Sequence, residues 1–383
     1  MEPNTALSDP LSEDDLRAWR EANVPLYNEQ KLKLGLFGTN CSYGLTMTQA
    51  ETSYEVTWPH TIEIAQRADK MGFELLVPIA RWRGFGGSTD FNGENYETYT
   101  WAAGVAAKTE NIMPFATSHL PTVHPIVAAK AATTIDHISN GRAGLNVVMG
   151  WFNPEMEMFG AEQREHDERY AYGSEWLDIA NRLWAGGEPF DYEGKFLRVK
   201  GARAAPSPIQ SPRPVLVNAG SSKAGTEFAA REVDFNFLSI DTIENATSMA
   251  ANVRSLAAGY GRDIGVLGYA YVICRDTEEE AKRQHEYIIE KGDWDGAKNI
   301  IDVMMTGANQ SFETQIRTMQ ERFIAGWGGY PVIGTPEQVV EELGRISAAG
   351  IDGLTLGFLD YNEELKHFDD AVMPLMREAG LRS

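Results

Sequence analysis

Asn146 interrupts the apolar run Gly144-Leu145-Asn146-Val147-Val148-Met149. A polar side chain buried in a strand must find a partner, in the protein or in a ligand. The run follows Ala132-Thr133-Thr134-Ile135-Asp136-His137-Ile138-Ser139-Asn140-Gly141-Arg142 and stops at Gly150-Trp151. The first segment reads as a helix closed by a tight Asn-Gly turn, because Gly141 accepts the positive φ that other residues resist. A second candidate is Gly220-Ser221-Ser222-Lys223-Ala224-Gly225, between a strand-like and a helix-like run. Free backbone N–H groups and two hydroxyls at a helix start make a phosphate cradle, although Ser222 also suits an ordinary N-cap. In Glu165-His166-Asp167-Glu168-Arg169-Tyr170, Arg169 can fork onto a phosphate and Tyr170 can add a hydrogen bond. The same run also suits a solvated helix start, and His166 is assigned no catalysis.

Other stretches exclude chemistry. Trp82-Arg83-Gly84-Phe85-Gly86-Gly87 is a glycine-rich aromatic loop that could approach a flat ring or simply supply turn geometry. It is no dinucleotide fingerprint, since Thr89 stands at the third glycine position, and no Walker loop. His119, His124 and His137 match no zinc spacing, so core, cap or pocket roles are expected and no metal site. No Gly-x-Ser-x-Gly elbow anchors a hydrolase triad. Gly334-Thr335-Pro336-Glu337-Gln338 is a helix start, with Thr335 as cap, Pro336 at the first helical position and Gln338 closing a capping box.

Eight strand-like runs position these residues: Leu32–Gly38, Phe73–Val77, Ile112–Thr117, Gly144–Met149, Pro214–Asn218, Asp234–Leu238, Gly265–Cys274 and Gly353–Gly357. Helix-like runs alternate with them, from Trp58–Met71 to Pro336–Ala349, and a final helix is expected near Glu363–Ala379. The rhythm predicts an α/β fold, a (β/α)8 TIM barrel; the lack of a glycine-rich dinucleotide loop disfavours an open doubly wound sheet. In such a barrel the site lies at the C-terminal ends of the strands. Asn40, Ala80-Arg81, Thr117, Asn146 to Trp151, Gly220-Ser221-Ser222 and Ser239 all fall there. Residues 1–30 read as a polar arm with a short helix near Ser12–Glu21, and 31–383 as the barrel domain. Insertions are expected at about 151–212, with a hairpin turning at Glu193-Gly194, and at 293–330. The second insertion, ending in Gly326-Trp327-Gly328-Gly329, is expected to be a mobile cover over the site.

The formal charge of −21 opposes binding to nucleic acid or anionic membranes. No apolar run spans a membrane and no signal segment opens the chain. Cys41 and Cys274 are the only cysteines, which points to a reducing cytoplasm rather than a disulfide framework.

With these residues in view, the chain resembles the bacterial luciferase-like, FMN-dependent two-component monooxygenases from about Leu32 to Arg377. The resemblance rests on Ala68-Asp69-Lys70-Met71-Gly72-Phe73, the Thr134–Arg142 run, Gly220-Ser221-Ser222 and Gly334-Thr335-Pro336-Glu337-Gln338. Within that superfamily, Arg83-Gly84-Phe85-Gly86-Gly87 is similar to pyrimidine monooxygenases. Gly150-Trp151-Phe152 and the Glu165–Tyr170 run are similar to dimethylsulfone monooxygenases.

The resemblance implies reduced FMN at the barrel mouth, contacted by Ala80, Arg81, Asn146, Glu155, Arg169, Tyr170, Ser221 and Ser222. It implies dioxygen held by Thr117 and Asn146, with Val77 and Trp151 completing that pocket. Trp58, Trp82, Trp151 and Phe152 are expected to wall the flavin ring. The oxygenating species would be a C4a- or N5-peroxide of the flavin, and the two strand-end polar side chains are the donors it would need. The implied enzyme oxidises a small organic substrate, pyrimidine-like or dimethylsulfone-like, at a C–N, C–S or C–halogen bond. An NAD(P)H:flavin reductase would supply the flavin, and the enzyme would be a homodimer or homotetramer. The alternatives are a deazaflavin F420-dependent oxidoreductase on the same barrel and a non-catalytic flavin-binding barrel.

Overall fold

The fold is that of a computed structural model, which describes residues 13–304 and 313–383. Eleven strands occur among them: β1 (Lys33–Phe37), β2 (Leu75–Val77), β3 (Met113–His119), β4 (Gly144–Val148), β5 (Phe190–Glu193), β6 (Arg198–Ala202), β7 (Val215–Asn218), β8 (Phe235–Leu238), β9 (Gly265–Cys274), β10 (Tyr330–Gly334) and β11 (Gly353–Gly357). Eight of them close a parallel ring in the order β9, β11, β1, β2, β3, β4, β7, β8 and back to β9. This is a (β/α)8 barrel, with helices packed outside. All eight expected strands form, each end within two residues of its expected place. No described helix is long and apolar enough to cross a membrane.

Small residues let the ring close. A Cβ on Gly144 would lie 2.3 Å from the Phe115 ring of the neighbouring strand, so the ring of one strand fills space the next leaves empty. At the N-terminal end of the barrel, Val24 and Leu26 pack with Leu75, Met113, Phe115, Val215, Phe235 and Leu267. The helix Glu13–Asn23 leads into this plug, and its Arg20 reaches the buried Asp234 at 2.9 Å. The segment read as a polar arm is thus docked from its helix onward.

The turn Asn140-Gly141 has the left-handed geometry its residues require, with φ of 56° and 88°. Asp136, just before it, is fully buried and accepts from the backbone N–H groups of Ile209 and Gln210 and from the Gln210 amide. The first insertion folds back onto the barrel through that carboxylate. Its hairpin is β5–β6, turning after Glu193 as expected.

The second insertion, expected to cover the site, supplies Phe323 and Trp327 to the cavity at the barrel mouth. It comprises helices Trp294–Met304 and Glu313–Gly326, with residues 305–312 outside the described set. Ala297, Ile300, Ile301, Phe323 and Ile324 are buried against Phe85, Phe91 and Tyr271, so what is described of it is packed. β10 is a strand beyond the expected eight: among the described residues, Tyr330-Pro331-Val332-Ile333-Gly334 pairs only with β9, outside the ring. Pro331 donates no N–H, which suits an edge strand and hides it from pattern reading.

Candidate active site

The mouth of the barrel is built from the ends of β3 and β4. Thr117 and Asn146 are register partners, and the Asn146 Nδ2 lies 3.3 Å from the Thr117 Oγ1. The Thr117 hydroxyl donates to the Pro78 carbonyl at 2.6 Å. One hydroxyl carries one proton, so toward Asn146 it can only accept. Both side chains are buried, and among the described residues the Asn146 Oδ1 has no partner.

After β4 the chain turns at Gly150, with φ of 76°, into the short helix Asn153–Met158. Glu155 on this helix is fully buried. Its Oε1 accepts from the backbone N–H groups of Trp82 and Arg83 at 2.7 and 3.3 Å, which ties the glycine-rich loop to the first insertion. Its Oε2 has no hydrogen bond among the described residues and lies 3.5 Å from His119 Nδ1. Arg81 Nε stands 3.5 Å from Glu155 Oε1, a charge contact without a hydrogen bond. The guanidinium lies over the rings of Phe85, Trp151 and Phe152, at 4.9, 5.4 and 5.3 Å. Burial lowers the Arg81 pKa and raises that of Glu155, each opposed by the other's charge. Burial, and then the Arg81 charge, push His119 down to about 3, so its ring is neutral.

These groups leave unpaired donors on Arg81 and unpaired acceptors on Glu155 and Asn146. Unsatisfied buried polar atoms are costly, and several in one place fit a polar heterocycle whose edge carries both donors and acceptors. The isoalloxazine of FMN is such a ring. Ala80 lies beside Arg81 and Thr117, lining the same narrow crevice.

Across the mouth, β7 and β8 hold the Gly220-Ser221-Ser222 loop. The Asn218 Oδ1 accepts from the Gly220 N–H at 2.9 Å, and the Asn236 Nδ2 donates to the carbonyls of Asn218 and Gly220. Ser222 caps the helix Lys223–Glu232, its Oγ accepting from Gly225 N–H at 3.1 Å. The Tyr170 hydroxyl sits here too: a Cβ on Gly225 or Gly220 would come within 2.6 or 3.0 Å of it. Burial raises the pKa of this phenol, opposed first by the nearby Ser222 side chain. Arg169 points elsewhere. Its Nε donates to the Arg164 carbonyl and its Nη1 to the Gly150 carbonyl, since successive residues on a helix are rotated by about 100°. The structure thus brings Tyr170 and Ser222 together and directs Arg169 toward Gly150.

Between these two sides lies an open cavity of about 740 Å³, lined in part by Trp151, Ser221, Ser239, Tyr269, Phe323 and Trp327. That volume suits a cofactor with a substrate. Trp82 is exposed, packs edge-on to Phe159, and lines the crevice beside Arg81. Trp58 stands away from the cavity, edge-on to Tyr96 and filling the space beside Gly104, so it walls no ring there. Asn40 is spent structurally, bonded to both backbone groups of Ile79 and to the Tyr96 carbonyl. Val77 packs inside the barrel with Leu75 and Phe115. His124 caps a helix and His137 meets the Ser207 carbonyl. No cluster of three or more metal-binding side chains occurs among the described residues.

Sequence reasoning passed over Asn218, Asn236 and the placement of His119. The first two carry the signal that marked Asn146, a polar residue inside an apolar strand, and they hold the serine loop.

Residues 37–353 match the luciferase-like monooxygenase family. The chain is 30% identical over 357 residues to the FMNH2-dependent dimethylsulfone monooxygenase of Pseudomonas putida, covering 91% of this chain and 96% of that protein. It is also 30% identical over 352 residues to pyrimidine monooxygenase RutA of Enterobacter sp. (strain 638), covering 90% and 96%. Among solved structures, riboflavin lyase shares the fold, with a TM-score of 0.83 at 21% identity over 92% of both chains. A match that spans the barrel strands and both sides of its mouth has one reading: the chain belongs to the luciferase-like monooxygenase family.

Proposed function

We propose that this luciferase-like monooxygenase uses reduced FMN and dioxygen to oxidise a small organic molecule, cleaving a C–N, C–S or C–halogen bond. The observation that carries the reading is the set of unpaired buried atoms on Asn146, Glu155 and Arg81 at the ends of β2 and β4 and on the helix behind them. Reduced FMN, when bound, supplies the electrons that activate dioxygen. The chain's own residues do the rest. Arg81, Glu155 and the backbone at Ala80 hold the polar edge of the ring. Tyr170, Ser221 and Ser222 hold the phosphate, with Arg169 adding positive charge on the Gly150 side. Asn146, oriented by Thr117, offers the donor for charge that develops on oxygen, from a rigid strand end. Trp151 walls the site and helps exclude water.

The 30%-identical relatives are an FMNH2-dependent enzyme and a pyrimidine monooxygenase, which favours FMN over deazaflavin F420. No motif for NAD(P)H is legible, so a separate NAD(P)H:flavin reductase delivers the reduced flavin, and the two free, buried cysteines suit a cytoplasmic setting. The test is oxygen consumption by the purified protein with reduced FMN, against small sulfones, sulfonates, pyrimidines and halogenated aromatics. Parallel titrations with reduced FMN and reduced F420 accompany it. Tighter binding of F420, or no substrate-dependent oxygen uptake across the panel, would refute the reading.

A further inference from the structure

Trp327 follows the helix Glu313–Gly326 in a conformation that tryptophan rarely holds. Its φ is 56°, in the left-handed region where glycine is at ease and a bulky side chain is strained. Gly328 beside it is also left-handed, at 76°, and there the residue suits the backbone. The bonds that close this helix end are main-chain bonds: Trp327 N–H to the Phe323 carbonyl at 3.1 Å and Gly328 N–H to the Arg322 carbonyl at 3.0 Å. A glycine at 327 would make the first of them as well. Strain retained at a cavity wall points from the outlier to a use for its side chain.

That side chain completes an aromatic surface. Its ring stacks on Phe91 at 5.4 Å and 29°, and Phe85 lies 5.4 Å away. Phe85 in turn stacks on Trp151 at 6.1 Å and 17°. Trp151 and Trp327 both front the 740 Å³ cavity, together with Tyr269 and Phe323. The Tyr269 hydroxyl donates to the Trp327 carbonyl at 3.0 Å, which anchors the strained residue to β9. These rings present an apolar aromatic face to the cavity, a surface that a flat ring can cover by stacking and that a small dialkyl sulfone, which has no ring, cannot.

We infer that Trp327 is the platform on which the substrate stacks, and that the substrate class is a planar aromatic or heteroaromatic sulfone, amide or halide. The inference rests on the monooxygenase reading above. Trp327 is a specificity-determining residue: it selects by face-to-face contact and takes no part in moving protons or electrons.

The experiment is calorimetric titration of the FMN-loaded protein with methyl phenyl sulfone, uracil and dimethylsulfone, for the wild type and for Trp327→Gly, Trp327→Leu and Trp327→Phe. FMN affinity and melting temperature are measured alongside. Glycine relieves the backbone, leucine keeps bulk without a ring, and phenylalanine keeps a ring. The wild type is expected to bind at least one ring-bearing probe roughly tenfold more tightly than dimethylsulfone. Glycine and leucine are expected to lose about that factor, phenylalanine to recover most of it, and FMN affinity to stay within about twofold in all three. Three results would overturn the inference: a wild type that prefers dimethylsulfone, ring affinity equal in the leucine and phenylalanine variants, or FMN affinity falling with ring affinity, which would make Trp327 a cofactor wall. Binding is read without turnover. A protein that binds the ring probes as expected yet never consumes oxygen with them would therefore sink the monooxygenase reading and leave the platform standing.

Discussion

The amide nitrogen of Asn146 lies 3.3 Å from the Thr117 hydroxyl oxygen, whose only proton goes to the Pro78 carbonyl. That chain of bonds orients the amide: nitrogen toward Thr117, with Oδ1 unpartnered. The nitrogen keeps a second N–H, so of the two strand-end residues it is Asn146 that has a donor to offer.

Asn146→Leu keeps the volume and removes that donor. Product formation at saturating reduced FMN is expected to fall by about two orders of magnitude, the usual size for a lost oxyanion donor. Thr117→Val is expected to lose less, since it frees the amide to rotate without deleting it. Near-normal turnover in the double variant would place oxygen activation elsewhere.

The phosphate side can be separated residue by residue. Tyr170→Phe removes the hydroxyl beside Gly220 and Gly225, and Ser222→Ala removes a second hydroxyl and a helix cap worth about 1 kcal/mol. Each is expected to weaken FMN binding by roughly tenfold, the loss of one good hydrogen bond to a charged group. Arg169→Ala is expected to weaken it as well, by removing a charge and the bridge between the Arg164 and Gly150 carbonyls. Fluorescence titration measures all three, and unchanged affinity in every variant would move the phosphate to another part of the mouth.

His119 predicts an acid limb of stability. Its pKa is pushed down to about 3 in the folded chain, against an ordinary value of 6.5. Between those values the unfolded chain binds a proton that the folded one does not, so stability falls as pH drops from about 6.5 toward 3. His285, also lowered by burial, acts in the same direction. In His119→Asn the decline in melting temperature between pH 7 and pH 4 is expected to be shallower than in the wild type. Parallel declines would show that the ring is not held neutral.

Asp234 holds the N-terminal helix to the barrel. Burial works against its charge, but Arg213 and Arg20 keep the carboxyl well below the usual range. Its Oδ2 also accepts from Leu216 N–H at 2.8 Å and is ion-paired to Arg213. Asp234→Asn leaves two part-buried guanidinium groups uncompensated and is expected to cost about 3–5 kcal/mol in urea unfolding at pH 7. Being depressed, this carboxyl stabilises the fold above about pH 3.8, its ordinary value, and the contribution is lost as pH falls through the folded pKa. A cost below about 1 kcal/mol, the size of an exposed pair, would mean that Val24 and Leu26 dock the helix alone.

The sequence by itself determined the eight strands, the helices between them, the Asn140-Gly141 turn and the capping box at Thr335 and Gln338, which the structure forms in full. Each of these is encoded by residues within a few positions of one another: an apolar period, a glycine where φ is positive, a hydroxyl at a helix start. The strand ends also announced Thr117 and Asn146, since a polar residue in an apolar strand must be answered. Only closure of the ring decided what answers it. The Thr117 proton goes to Pro78 on the neighbouring strand's end, and Arg20 meets Asp234 across 214 residues. Tyr170 and Arg169, adjacent in the chain, part company because a helix turns them to different walls. The strained backbone of Trp327 carries no local signal, because a run of Gly-Trp-Gly-Gly admits a left-handed residue at several positions. Which one takes it depends on where the helix before it packs against Phe85 and Phe91.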